Sequence, residues 1–214
     1  MRIALRGKKR QIEEWSKIVS SRHDILEFEG IDSSLDLNVF DLVFDLDFEN
    51  HTQDAMYYLN TTATVFLSSV CVNLYSYFPD AEIYGINALP TMLGRNLLEV
   101  CGTKGKKRDI TEIIKSLGWE DAEWVDCRVG LVTPRIICMI INEAYYTVQE
   151  GTANREDIDK GMKLGTAYPK GPFEWCGELG VVNVYRVLES IWEDTREERY
   201  KVCPLLKKEY LQNK

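Results

Sequence analysis

Residues 154–174 read NREDIDKGMKLGTAYPKGPFE, and this run decides the architecture of the second half of the chain. Asn154 stands at a helix N-cap position with Asp157 three residues on, and an Asn side chain there accepts a hydrogen bond from the open N–H groups of the first turn. The helical stretch behind it is expected to stop at Gly165, glycine being the common residue past a helix end. A turn carrying Pro169 and Gly171 follows. Pro172 then opens a second helix from a first-turn position where a missing N–H is no loss, and Gly180 closes it.

Outward from this pair the pattern stays helical. Val184, Val187, Leu188 and Ile191 give Val181–Glu193 one apolar side, and Pro204 begins a last helix carrying Leu205, Leu206 and Tyr210. Upstream, Thr133 and Pro134 read as N-cap and first residue of a long helix whose apolar face holds Ile136, Ile137, Ile140, Ile141, Ala144 and Val148, closed by Gly151.

Before residue 130 the chain alternates. Arg2–Arg6, Asp24–Phe28, Val39–Phe48, Ala63–Leu67, Glu82–Ile86 and Ala122–Asp126 read as strands. Gln11–Val19, Gln53–Leu59, Cys71–Tyr77 and Asp109–Leu117 read as helices, the last closed by Gly118. Alternation of this kind predicts a parallel sheet covered by helices. The expected division is an α/β domain over 1–127 and an all-α domain over 128–214.

Bulk properties narrow the function classes. The net charge of −8 argues against nucleic acid as the main partner, because phosphate binding needs a basic face. No apolar run approaches the roughly 18 residues of a membrane span, and the opening MRIALRGKKRQ carries charges where a signal peptide needs its apolar core, so none is expected. The expectation is a cytoplasmic protein. Cys71, Cys101, Cys127, Cys138, Cys176 and Cys203 form no CxxC pair, and His23 and His51 are the only histidines. No metal site is expected, and the cysteines read as free or buried thiols.

The helical half resembles the C-terminal domain of the 3-hydroxyacyl-CoA dehydrogenases. EDIDKGMKLG with YPKGPFE downstream resembles that family's best-marked motif. INEAYYTVQEG resembles its long helix, and ERYKVCPLLKKEY its tail segment. The match covers about residues 128–210. TVFLSS, YGINALP and NLLEV resemble three strands of the family's cofactor domain more weakly. The resemblance implies a truncated Rossmann-like sheet domain ahead of the helical one, NAD as cofactor, an acyl-CoA ligand and a homodimer formed through the helical domain. It also implies a histidine base oriented by a glutamate, with an asparagine and a serine holding the substrate oxygen.

Several implied positions carry other residues. Gly7 matches the first glycine of the phosphate-binding turn, but Lys9 and Ile12 stand at the second and third. The second must be small for backbone to approach a pyrophosphate, and the third lets helix pack on strand. Lys8, Lys9 and Arg10 read as a solvated first turn. Glu27 or Glu29 lies where a ribose-binding acid would stand, about 20 residues on. Glu99 matches the glutamate, while Asn87 stands at the histidine, and an amide cannot take a proton at neutral pH. Ser68 and Ser69 match the serine loop, with Ser69 as the candidate. Pro134 stands at the asparagine and offers no polar side chain. The expectation is a family-like fold whose hydride transfer is impaired or lost. The alternatives are an active dehydrogenase using other residues and a non-enzymatic interaction module.

Overall fold

Strand β1 (Arg2–Arg6) runs through Gly7 into helix α1 (Lys9–Ile18) in the computed structural model, which describes residues 1–19, 22–31 and 35–214. The strands that follow are β2 (Asp24–Glu27), β3 (Leu42–Asp45), β4 (Thr64–Ser68), β5 (Tyr84–Ile86), β6 (Leu97–Gly102) and β7 (Asp121–Trp124). They form one sheet in the order β2-β1-β3-β4-β5-β6-β7. Every pair is parallel except β5 with β6. The expected parallel sheet departs from parallel pairing at that one place for a simple reason. Residues 87–96 hold no helix, and a parallel return needs a crossover of about a dozen residues or more.

Helices α2 (Ala55–Leu59) and α3 (Lys107–Leu117) complete this unit. Its core is strongly aromatic: Phe44 stacks on Phe66 at 4.6 Å, and Trp15, Tyr84 and Trp119 are buried around them. Gly118, at φ 134°, caps α3 in a conformation that L side chains resist. The strand expected over Val39–Phe48 contracts to Leu42–Asp45, because short 3-10 turns occupy Leu37–Val39 and Phe48–Asn50 on either side. The helix expected over Cys71–Tyr77 is one such turn, Leu74–Ser76. Side chains claim the backbone instead: Asn73 accepts from the Tyr75 N–H, and Glu49 accepts from that of Cys71.

The cysteine expectation is also corrected. Cys101, in β6, and Cys127, just past β7, form a disulfide, while Cys138, Cys176 and Cys203 are free thiols. Neighbouring parallel strands bring the two Cα atoms to 5.0 Å, a separation suited to the bond. Their distance in sequence gave no sign of it.

The chain divides into units Met1–Leu131 and Val132–Lys214. The second holds α4 (Thr133–Gln149), α5 (Arg155–Thr166), α6 (Pro172–Leu179), α7 (Val181–Thr195) and α8 (Pro204–Asn213). Thr133 is the first helical residue of α4, the cap falling on Val132. Gly165 lies inside α5, which ends instead at Ala167 in the left-handed region. Asn154 caps α5 by accepting from the Asp157 N–H at 2.9 Å.

The 154–174 run is explained by one contact between α5 and α6. Gly171 has no side chain to cap α6, so Asp159 of α5 does it. Its carboxylate accepts from Phe173 N–H at 2.8 Å and Glu174 N–H at 3.2 Å. Glu174 reaches back to the Gly171 N–H at 2.8 Å, closing the turn. The tail is fixed similarly. Asn142 donates to Lys201 O and accepts from Cys203 N–H, both at 2.9 Å. Gln149 accepts from Leu205 N–H, and Arg135 donates to the Tyr200 hydroxyl. Tyr185 stacks on Tyr210 at 3.9 Å, seating α8 on α7. The family-like residues of this unit are therefore caps and pins between helices.

Candidate functional site

In the sheet unit, β1 has β2 on one side and β3 on the other. Such a reversal opens a crevice beyond the carboxyl ends of the strands, where open α/β sheets bind ligands. Here the crevice floor is a buried ionic network. The Arg6 guanidinium, at the end of β1, donates to Asp45 at the end of β3 from Nε at 3.0 Å, to Asp54 at 2.6 Å and to the Tyr58 hydroxyl at 3.1 Å. Tyr58 in turn donates to Asp45 at 2.7 Å. Arg6 and Asp45 are 3% and 0% exposed, so neither charge would tolerate losing the other. Burial works against the Arg6 charge, yet the bond and charge of Asp45 outweigh it and raise its pKa above the ordinary value. Burial and the Asp45 charge push the Tyr58 pKa up, keeping it a donor.

The turn above that floor is closed by Gln11. Its Oε1 accepts from the Lys8 N–H at 2.9 Å, and its Nε2 donates to Leu46 O at 2.6 Å and Ala88 O at 2.8 Å. One side chain thus ties the first turn of α1 to the chain beyond β3 and beyond β5. It also takes up a backbone N–H at the helix N-terminus, where an anion would otherwise find donors. Gly7 packs tightly: a Cβ there would lie 3.1 Å from Leu46 Cβ and 3.3 Å from Ile12 Cγ1. Ile12 stands where a dinucleotide turn has the small third residue that lets helix pack closely on strand. Lys9 is exposed. Gly7 and Glu29 line one open cleft of about 500 Å³, together with Lys9, Ile12, Glu13 and Phe28. Its rim carries more carboxylates than ammonium groups, the wrong balance for a pyrophosphate.

Asn87 and Glu99 meet directly. Asn87 follows β5 and Glu99 sits in β6, and the Asn87 Nδ2 donates to Glu99 Oε2 at 3.0 Å. Asn87 Oδ1 accepts from Leu89 N–H at 3.3 Å, and both side chains are buried. The amide orients like an imidazole but has no proton to take or give. Ser69 Oγ is buried against Gly85 and has no hydrogen-bond partner among the described residues. Ser68 instead donates to Glu49 at 3.0 Å. Pro134 is the second residue of α4, in the other unit. His51 faces Asp47 at 3.3 Å, and His23 lies 3.5 Å from the N-terminal amine. Burial, that amine and Arg22 lower the His23 pKa.

Sequence reading missed the Arg6 network, Gln11 and the disulfide. One signal for the first was present: a charged residue ending the apolar strand RIALR, and an acid ending another buried strand.

Residues 130–214 match the family model for the 3-hydroxyacyl-CoA dehydrogenase C-terminal domain. Through this stretch the chain is similar to the 3-hydroxyacyl-CoA dehydrogenases. It is 43% identical over 82 residues to the 3-hydroxyadipyl-CoA dehydrogenase of Escherichia coli K12, covering 38% of this chain and 17% of that protein. It is 33% identical over 127 residues to the 3-hydroxybutyryl-CoA dehydrogenase of Bradyrhizobium diazoefficiens, covering 59% of this chain and 43% of that one. The matched stretches thus span less than half of these curated relatives.

In overall fold the chain is similar to FadB2 of M. tuberculosis, with a TM-score of 0.81 at 16% identity, over 99% of this chain and 94% of that one. The (S)-3-hydroxybutyryl-CoA dehydrogenase of Ralstonia eutropha gives a TM-score of 0.76 at 18% identity, with the same coverage. At such identities the likeness is one of fold. This 3-hydroxyacyl-CoA dehydrogenase-like chain therefore keeps a Rossmann-like sheet and a helical domain. At the turn after β1, where the resemblance places NAD, Gln11 ties the backbone and Ile12 packs against Gly7.

Proposed function

We propose that this 3-hydroxyacyl-CoA dehydrogenase-like protein does not carry out NAD-dependent hydride transfer, and that its helical domain forms a homodimer able to bind an acyl-CoA-type ligand. The observation that carries the first part is the 3.0 Å bond from Asn87 to Glu99. Hydride can leave the 3-carbon of a hydroxyacyl substrate only as its hydroxyl proton is taken. A positioned base contributes roughly a hundred- to ten-thousand-fold to such a step, and at this place there is an amide. The filled turn at Gln11 supports the same reading from the cofactor side. Leu164, Ile136 and Leu211, exposed on the helical unit at 78%, 50% and 61%, support the dimer.

Three measurements test the reading. With NAD and 3-hydroxybutyryl-CoA, NADH formation is expected to stay at the no-enzyme rate. Titration with NADH is expected to leave its fluorescence unchanged. Turnover above background would sink the inactive reading, whichever residues carried it. Sedimentation is expected to show a dimer at micromolar concentration, and a monomer there would remove that part.

A further inference from the structure

We infer that Cys101 and Cys127 form a thiol–disulfide switch that fixes or frees residues 125–131 beside the Asn87–Glu99 pair. The inference concerns the sheet unit alone and stands whether or not hydride transfer survives.

The first observation is placement. Cys101 lies two residues beyond Glu99 in β6, so the two side chains share a face of the sheet. On β5, Gly85 stands opposite Cys101, and Asn87 pairs with Glu99 through its backbone N–H at 3.3 Å. A Cβ on residue 85 would lie 2.8 Å from Cys101 Sγ and would overlap Ser69 Oγ. Glycine at 85 therefore makes room for the sulfur and for the buried Ser69 hydroxyl, which lacks a partner among the described residues. The disulfide, Ser69 and the Asn87–Glu99 pair form one contiguous patch.

The second observation is what the disulfide holds. Past β7 the chain leaves the sheet after Val125 N–H donates to Val100 O at 2.9 Å. Cys127 is then bonded to Cys101, and Gly130 N–H donates to Val70 O at 2.6 Å, next to Ser69. Gly130 and Leu131 both have positive φ, 85° and 43°, and leucine rarely adopts such a backbone unless its surroundings hold it there. The covalent tie lies between the two backbone anchors.

The third observation is access. Cys127 is partly exposed, whereas Cys101 is 1% exposed. Exchange therefore enters at Cys127. A low-molecular-weight thiolate attacks Cys127 Sγ, forms a mixed disulfide there and expels Cys101 as a thiolate that takes a proton. A second thiolate attacks the external sulfur, releasing the small disulfide and the Cys127 thiolate. The reverse sequence, with the small disulfide as oxidant, restores the bond.

The test uses the whole chain equilibrated in glutathione buffers from fully reduced to fully oxidised. Alkylation after acid quench counts the thiols by mass, and hydrogen exchange reads the backbone. The pair is expected to convert in one two-electron step while Cys71, Cys138, Cys176 and Cys203 stay thiols. On reduction, exchange in 125–131 and in 68–71 is expected to rise by about an order of magnitude or more, with β1 and β3 unchanged. Cys127→Ser is expected to hold exchange at the reduced level in every buffer. A pair that stays dithiol across the range overturns the inference, as does equal exchange in 125–131 in the two states.

Discussion

Replacing Arg6 with Met is expected to destabilise the sheet unit by about 3–5 kcal/mol, the usual result of removing one partner of a buried ion pair. Met roughly matches the length of the arginine stem, so lost volume is a minor part of the effect. What remains is Asp45, 0% exposed, with the Tyr58 hydroxyl and the Asp47 N–H as its remaining donors among the described residues. The check is hydrogen exchange of β1 and β3 across a urea series, which reads the unit separately from the helices. The double variant Arg6→Met with Asp45→Leu is expected to regain at least half of the loss, because no uncompensated charge is left inside. If the double variant is as unstable as the single one, the packing of Arg6 matters more than its charge.

The second large effect is expected at Gly171. Its φ of −76° suits any residue, so the backbone does not ask for glycine. Crowding does: a Cβ there would overlap the Asp159 carboxylate that caps α6. Gly171→Ala is expected to cost about 2–5 kcal/mol, combining a lost cap of about 1–2 kcal/mol with overpacking of about 1–3 kcal/mol. Asp159→Ala alone is expected to lose only the cap. In the double variant the clash disappears, so the two changes should sum to less than their separate effects. Denaturation followed at Trp175, in α6, reads all three. Additive losses would show that Asp159 and Gly171 do not act through one contact.

These cases show where the sequence was readable. Caps are local, so Asn154, Pro172, Gly180 and Pro204 marked helix ends from composition alone. The resemblance placed Asn87 and Glu99 at two paired positions of family-like strands, but the hydrogen bond between them is seen only in the structure. The antiparallel turn of β6 depends on the absence of a helix in 87–96, which periodicity over so short a stretch does not reveal. Arg6, Gln11 and the disulfide are long-range: each joins residues that only the sheet order brings together. Gln11 in particular looked like an ordinary polar residue of an exposed first turn, and its two carbonyl partners lie 35 and 77 residues away. The shift from Gly165 to Ala167 at the end of α5 has a different cause, since a glycine inside a helix is tolerated when the next turns are held by packing.

The sheet ends on one side at β2, where the fuller doubly wound order would add another strand. It ends on the other side at β7. Both outer strands are four residues long, and both carry acids, Asp24 and Glu27 on one, Asp121 and Glu123 on the other. Leu26, 47% exposed, is the apolar residue left uncovered on β2. Shortness and like charge keep two copies from continuing each other's sheet edge to edge. A chain stripped of the Asp24 and Glu27 carboxylates would keep the same backbone edge without its charges, and is expected to associate edge to edge more readily.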